Sequence, residues 1–226
     1  MIQNFKLINI KNLNYNIYEL DFEAENIFNF KPGQFITFLI PVWWRAYSIL
    51  EENGKYLKLI IKKWELDEWG RWWSKYLCEL KIWNSIKWIG PAWHFILKEN
   101  NKNKLFLWTG TGLVPLYNQI INWLKNNEKC NYKLIFWTRN SLDLFFIKEL
   151  NNLKNIYNNF DFEVYLSREE ISWYKKWYVT DFLSPKVIWD FDEFYLCGAP
   201  AMIEWVENKL SELWVEKESI FFEKYA

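Results

Sequence analysis

The chain has 226 residues, enough for one large domain or two small ones. Its 28 lysines and arginines balance 28 aspartates and glutamates, so no overall charge draws it to nucleic acid or to an anionic membrane. The three cysteines, Cys78, Cys130 and Cys197, form no C-x-x-C pair and His94 is the only histidine, which excludes zinc sites, iron–sulfur cluster runs and histidine-based triads, so no metal is expected.

Any redox chemistry must therefore come from an organic cofactor. No apolar run approaches the roughly 20 residues that a membrane helix needs. The N-terminal Met1-Ile2-Gln3-Asn4-Phe5-Lys6 lacks a signal-peptide pattern. A cytoplasmic protein without membrane insertion is expected.

Short stretches rich in β-branched and aromatic residues predict strands at 5–10, 17–22, 34–40, 46–50, 56–62 and 85–89. Lys31-Pro32-Gly33 reads as a turn before the third of them. One helix is expected in this half, near 74–80. Six strands with so little helix predict a small antiparallel barrel over residues 1–99. The polar run Glu99-Asn100-Asn101-Lys102-Asn103 reads as a linker. From 103 to 226 the rhythm changes. Strands at 104–107, 133–136, 163–166, 193–196 and 219–222 alternate with helices near 114–125, 144–152 and 201–213. That alternation predicts a parallel sheet with helices on both faces.

One feature of the composition is inverted. There are 17 tryptophans against 7 glycines, whereas glycine is ordinarily about 7% of a chain. The tryptophans stand where turns call for a small residue: Trp108 before Thr109-Gly110-Thr111-Gly112, Trp93 after Gly90-Pro91-Ala92, Trp69, Trp72 and Trp73 around Gly70-Arg71, Trp177 after Lys176, and Trp214 after Leu213. Indoles at Trp93 and Trp108 are expected to crowd turns in which backbone N–H groups approach a ligand. With glycine at most of these positions the chain becomes legible. The reading is that UGA codons, which some genetic codes translate as glycine, are written here as tryptophan. The heavy use of Asn, Lys, Ile and Phe fits AT-rich coding. Trp64, Trp123 and Trp205 suit their surroundings either way. UGG codons at positions 93, 108 and 177 would refute the idea.

Arg45-Ala46-Tyr47-Ser48 opens a predicted barrel strand. Strand alternation puts Arg45 and Tyr47 on one face and Ala46 and Ser48 on the other. A guanidinium suits a diphosphate, a phenol ring stacks on a flat heterocycle, and a hydroxyl bonds a ring nitrogen. Thr109-Gly110-Thr111-Gly112 opens the first helix of the second half and departs from the G-x-G-x-x-G fingerprint. Cys197-Gly198-Ala199-Pro200 follows the fourth strand there, at the end where parallel sheets bind ligands. Cys197 taken alone also reads as a buried structural thiol. Ser74 and Asp143 read as helix caps, and His94 as a surface residue.

In order and spacing, Lys31-Pro32-Gly33-Gln34-Phe35, Arg45-Ala46-Tyr47-Ser48, Gly70-Arg71-Trp72-Trp73-Ser74, Gly90-Pro91 and Thr109-Gly110-Thr111-Gly112 resemble the ferredoxin–NADP reductase family, which includes the reductase components of oxygenases. Several of these motifs match with glycine in place of tryptophan. The resemblance runs from about Lys31 to Tyr225. It implies an FAD-binding barrel followed by an NAD(P)-binding domain. It also implies an enzyme that passes a hydride from NAD(P)H to FAD, then single electrons to a ferredoxin or another separate acceptor.

By the family pattern, Arg45 contacts the FAD diphosphate, Tyr47 stacks on the isoalloxazine and Ser48 lies near flavin N5. Gly70, Arg71 and Ser74 form a second diphosphate contact. Thr109, Gly110, Thr111 and Gly112 hold the nicotinamide nucleotide together with Gly198, Ala199 and Pro200, and Cys197 lies beside the nicotinamide. Glu223 handles protons and Tyr225 covers the flavin face. One departure is that Ala226 follows Tyr225, whereas plant-type members end on the tyrosine, so Phe221 and Phe222 remain alternatives. Ser167 and Arg168, or Arg139, would bind the 2′-phosphate of NADPH, with Lys175 and Lys176 adding positive charge. NADPH is favoured over NADH.

The scattered cysteines leave no place for a fused iron–sulfur domain. Nor do they supply the cysteine-rich C-terminal segment of dihydroorotate dehydrogenase electron-transfer subunits. The acceptor is expected to be separate, and the chain a monomer. An NADH-dependent flavin reductase or oxygenase-reductase component is the near alternative. The distant alternative is a non-catalytic aromatic-rich module that stacks on sugars or single-stranded nucleic acid. Zero net charge and tryptophans scattered over turns count against that module.

Overall fold

The computed structural model describes residues 2–27, 29–39, 44–64, 72–93, 95–126, 129–176 and 182–224. The chain divides into two compact units, residues 1–96 and 97–226.

The first unit contains β1 (Ile2–Asn12), β2 (Ile17–Ala24), β3 (Gln34–Leu39), β4 (Trp44–Asn53), β5 (Tyr56–Lys62), α1 (Trp72–Cys78) and β6 (Ser85–Trp93). The six strands close into a barrel in the order β1-β2-β5-β4-β3-β6, and each neighbouring pair is antiparallel. The cause is visible in the alternation. Phe5 and Leu7 on β1, Leu20 and Phe22 on β2, and Ile36 and Phe38 on β3 all turn inward and are fully buried. Inside, Phe5 meets Trp88 edge-on with ring centres 4.4 Å apart, and Phe22 meets Phe38 at 5.8 Å. Each such side chain contributes about 2 kcal/mol by burial. Leu77 and Cys78 of α1 join this core. The helix begins at Trp72, two residues ahead of the expected start, so Ser74 sits inside its first turn and does not cap it.

The second unit contains β7 (Lys104–Thr109), α2 (Leu113–Asn126), β8 (Tyr132–Thr138), α3 (Ile147–Ile156), β9 (Phe160–Leu166), β10 (Lys175–Lys176), α4 (Pro185–Ile188), β11 (Glu193–Gly198), α5 (Pro200–Glu212) and β12 (Ile220–Lys224). Its six strands form one sheet, β10-β9-β8-β7-β11-β12, with every neighbouring pair parallel. β7 and β11 are buried along nearly their whole length, because both sheet faces are covered. On one face Leu105, Leu107, Phe194 and Leu196 share a core with Met202, Ile203, Val206 and Leu210 of α5. On the other lie Phe106 against Tyr195, ring centres 5.6 Å apart, and Trp108 against Phe136 at 4.6 Å.

β10 and α4 were not foreseen: one is two residues long and the other four, too short for any periodicity to register. α3 starts three residues later than expected. Asp143 belongs to a separate turn, Ser141–Asp143, and Phe146 holds the N-cap position of α3 with φ +60°. Asp143 is therefore not the cap of α3. Among the described residues, no helix is long and apolar enough to cross a membrane.

Two tryptophans occupy glycine conformations. Trp83 has φ +75° at the third position of the Lys81–Asn84 turn, closed by the Asn84 N–H on the Lys81 carbonyl, and Trp214 has φ +62° just past α5. Around Trp214, the Val215 N–H bonds the Leu210 carbonyl and the Trp214 N–H bonds the Ser211 carbonyl. That is the Schellman arrangement, whose left-handed residue is usually glycine. Trp214 is 93% exposed, so its indole returns little packing for the strain. Trp214→Gly is expected to raise stability by about 1 kcal/mol, checked by denaturant unfolding; an unchanged or lowered midpoint would contradict this. Trp108 behaves otherwise. Its ring is fully buried under the sheet, not in the turn, so it does not crowd the ligand side of that turn as expected. The cost falls elsewhere: its buried indole N–H has no hydrogen-bond partner among the described residues. Trp93 ends β6.

Candidate functional site

The second unit presents a crevice by topology. From β7 the chain builds outward through β8, β9 and β10, then returns to the other side of β7 to lay down β11 and β12. Strand order thus reverses between β7 and β11. Open α/β sheets bind ligands at such a point, outside the carboxyl ends of the strands. The two turns that leave these strands are Thr109–Gly112 and Gly198–Pro200.

The two turns interlock. The Ala199 N–H donates to Thr109 Oγ1 at 3.0 Å. A Cβ on Gly112 would lie 2.5 Å from the Cys197 carbonyl oxygen, and one on Gly198, at φ +141°, would lie 2.2 Å from Thr109 Oγ1. No side chain larger than hydrogen fits either place. Gly110 differs: its φ is +55° and a Cβ there would meet nothing within 4 Å. The turn is therefore packed below and open above. α2 and α5 both begin here, and neither the turn before α2 nor the start of α5 has a side-chain cap. Pro200 at the first position of α5 has no N–H to satisfy. Uncapped N–H groups at paired helix starts suit phosphates, so these residues fit a dinucleotide. The bond from Ala199 to Thr109 had no signal in the sequence, since 90 residues separate its partners.

Cys197 is fully buried and pairs in register with Trp108 on one side and Glu223 on the other. Burial pushes the Glu223 carboxyl up to about 7. It is thus poised to exchange a proton near neutrality. Phe221 stacks on Tyr195, ring centres 4.8 Å apart, with the Lys98 ammonium 4.4 Å from its ring centre. That commits Phe221 to packing. Phe222 lies half-exposed on the opposite face of the strand. Tyr225 lies outside the described residues.

The loops after β8 and β9 run side by side. The Ser167 N–H bonds the Thr138 carbonyl at 3.0 Å and the Arg168 N–H bonds the Arg139 carbonyl at 2.9 Å. Arg139 and Arg168 are thereby neighbours, both exposed, while Ser167 is half-buried. Lys175 and Lys176 have carboxylate partners, Glu163 and Glu170, each at 2.7 Å. Among the described residues, neither arginine has one.

In the first unit, Arg45 pairs with Phe38 and Tyr47 with Ile36, while Ser48 pairs with Phe35. Cross-strand partners share a face, so Arg45 and Tyr47 lie on the side of Phe38 and Ile36, and Ser48 on the other. The expected alternation is present. Tyr47 packs against the barrel core, its ring 5.7 Å from that of Phe38. Burial raises its phenol pKa, Cys78 adds to the rise and Arg45 opposes it. Ser74 Oγ accepts the Trp64 N–H at 3.1 Å. Gly70 and Arg71 lie outside the described residues, as does His94.

Residues 106–208 match the family described as the oxidoreductase NAD-binding domain. The chain is 26% identical to the electron transfer component of toluate 1,2-dioxygenase from Pseudomonas putida, over 96% of this chain and 66% of that one. It thus spans just under two thirds of that relative's length. Among solved structures, the FAD/NAD-binding domain of nitric oxide dioxygenase from Vibrio cholerae superposes with a TM-score of 0.85 at 20% identity, covering 99% of this chain and 98% of that one. Ferredoxin-NADP+ reductase from Plasmodium falciparum superposes at 0.81 with 22% identity, covering 98% and 95%. The closed antiparallel barrel and the parallel sheet are the two-domain fold of these reductases.

Proposed function

We propose an electron-transfer function for this chain, which belongs to the ferredoxin reductase-like FAD- and NAD(P)-binding oxidoreductases. The enzyme passes a hydride from NAD(P)H to FAD and single electrons onward to a separate ferredoxin-type acceptor. The observation that carries this reading is the pair of interlocked turns at the strand-order reversal, inside the segment that matches the NAD-binding family. The barrel, residues 1–99, holds FAD, and residues 103–226 hold the dinucleotide. The protein works as a cytoplasmic monomer.

FAD, when bound, supplies the redox chemistry: it accepts two electrons as hydride and returns them singly. The chain's residues bind, orient and manage protons. Arg45 holds the diphosphate through its guanidinium, with Gly70, Arg71 and Ser74 as the second contact. The exposed part of Tyr47 lies along the isoalloxazine, and Ser48, on the other face of the strand, bonds the ring edge near N5. Thr109, Gly110, Thr111 and Gly112 cradle the nicotinamide nucleotide from one side, with Gly198, Ala199 and Pro200 on the other. Cys197 lies beneath the nicotinamide. Glu223 holds a proton, and Tyr225 keeps water from the flavin. Ser167, Arg168 and Arg139 receive a 2′-phosphate, which favours NADPH.

Ser48→Ala is expected to slow flavin reduction by about tenfold or more while FAD is retained. Stopped-flow absorbance and a flavin-release assay separate the two effects, and equal loss of both would remove the assigned role. The primary test is the visible spectrum before and after anaerobic NADPH, with NADH in parallel. A yellow protein that bleaches supports the reductase reading. One that stays colourless with added FAD contradicts it. The dioxygenase relative favours a second reading, an NADH-dependent oxygenase-reductase component, and faster bleaching by NADH selects it.

A further inference from the structure

The arginine pair raises a problem that Glu169 solves. Arg139 and Arg168 are held next to each other by the backbone, two like charges on adjacent chains. Such a pair ordinarily recruits a nearby carboxylate. Glu169 directly follows Arg168, yet its carboxylate goes elsewhere: Oε2 accepts the Ser141 N–H at 2.6 Å. Ser141 begins the single turn Ser141–Asp143, two residues past Arg139. Three bonds therefore join the two loops: Ser167 to Thr138, Arg168 to Arg139, and Ser141 to Glu169. The first two are backbone bonds that almost any sequence could make. The third needs a side-chain acceptor of this length at this position. It closes the bracket beyond the arginines and leaves both guanidinium groups without a carboxylate partner among the described residues.

We infer that Glu169 is the positioning residue that sets selectivity for a 2′-phosphorylated adenine nucleotide, by tying the two loops together and turning its own charge away from Arg139 and Arg168. The inference rests on the nucleotide-binding reading above and deepens it. Glu169 touches no ligand; it acts through the arginines.

Charge and bracketing make opposite predictions. If only the charge mattered, Glu169→Ala and Glu169→Gln would both bind a phosphate more tightly, since each removes a nearby negative group. If the bracket matters, the two diverge. A glutamine carbonyl still accepts the Ser141 N–H, whereas alanine frees the loop.

The test is calorimetric titration of the full FAD-loaded chain and of both variants with 2′-phospho-AMP and with AMP, which needs no turnover. Glu169→Ala is expected to weaken 2′-phospho-AMP by about tenfold and AMP by less than about twofold. Glu169→Gln is expected to bind 2′-phospho-AMP at least as tightly as the parent. Three results overturn the inference: both variants binding the phosphorylated probe more tightly, Glu169→Ala weakening both probes alike, or a parent that does not distinguish the probes. The wider function is judged separately. A parent that fails to distinguish the probes but is bleached by NADH remains a flavin reductase, and one bleached by neither dinucleotide does not.

Discussion

Gly112→Ala is expected to disable the nucleotide crevice. The added methyl would sit 2.5 Å from the Cys197 carbonyl oxygen, 2.7 Å from its carbon and 3.0 Å from the Gly198 nitrogen. These are backbone atoms of a strand buried on both faces, so they cannot rotate aside as a flexible side chain would. The start of α2 must lift or β11 must shift, and either separates the two turns that face the ligand. Overpacking of this kind costs about 1–3 kcal/mol, and more where backbone must move. Dinucleotide affinity is expected to fall by about tenfold or more. Gly110→Ala is the control. It keeps the space, since nothing lies within 4 Å, and bears only the conformational strain of φ +55°, about 1–2 kcal/mol. Thermal unfolding and dinucleotide titration of both variants check the contrast. A Gly112→Ala protein with the parent's melting temperature and affinity would show that the turns are not interlocked.

Glu223→Gln is expected to change how the protein responds to pH. In the fold, burial raises the carboxyl from 4.5 to about 7. A carboxyl raised in this way prefers its proton in the folded state. Its stabilising contribution is whole below about pH 4.5 and is lost as pH rises through 7. The loss is on the order of 2 kcal/mol once the partial exposure of Glu223 is allowed for. Glutamine cannot ionise. The stability of the variant relative to the parent should therefore climb between pH 4.5 and 7 and level off above. Unfolding midpoints across that range measure it, and a constant difference would mean that Glu223 titrates normally. If Glu223 also holds the proton that the reaction moves, the pH profile of flavin oxidation by the acceptor loses an arm near 7 in the variant.

The local patterns were legible where one residue's partners are its sequence neighbours or where alternation is strict. β1, β2 and β3 show inward residues every second position, and the barrel followed from six such runs with one helix. The strand–helix rhythm after residue 103 is the same kind of signal. The Arg45-Ala46-Tyr47-Ser48 face assignment needed only the pleat, and the register bears it out. Boundaries were less legible. The start of α1 and the cap of α3 depend on which side chains the rest of the unit receives, and Phe146 is held at φ +60° beside Tyr117, ring centres 5.1 Å apart.

By itself the sequence determined the two-part architecture, the strand faces and the glycine positions around Thr109 and Cys197, because those rest on side-chain period and backbone freedom over a few residues. Only the tertiary structure decided that β7 and β11 are neighbours and that their turns share one crevice. It alone placed Arg168 against Arg139, drew Glu169 to Ser141, and put Glu223 beside Cys197 where burial lifts its carboxyl. The physical reason is the same in each case. These contacts join residues 26 to 90 positions apart, and their free energy comes from burying a whole sheet at once, which no local pattern encodes.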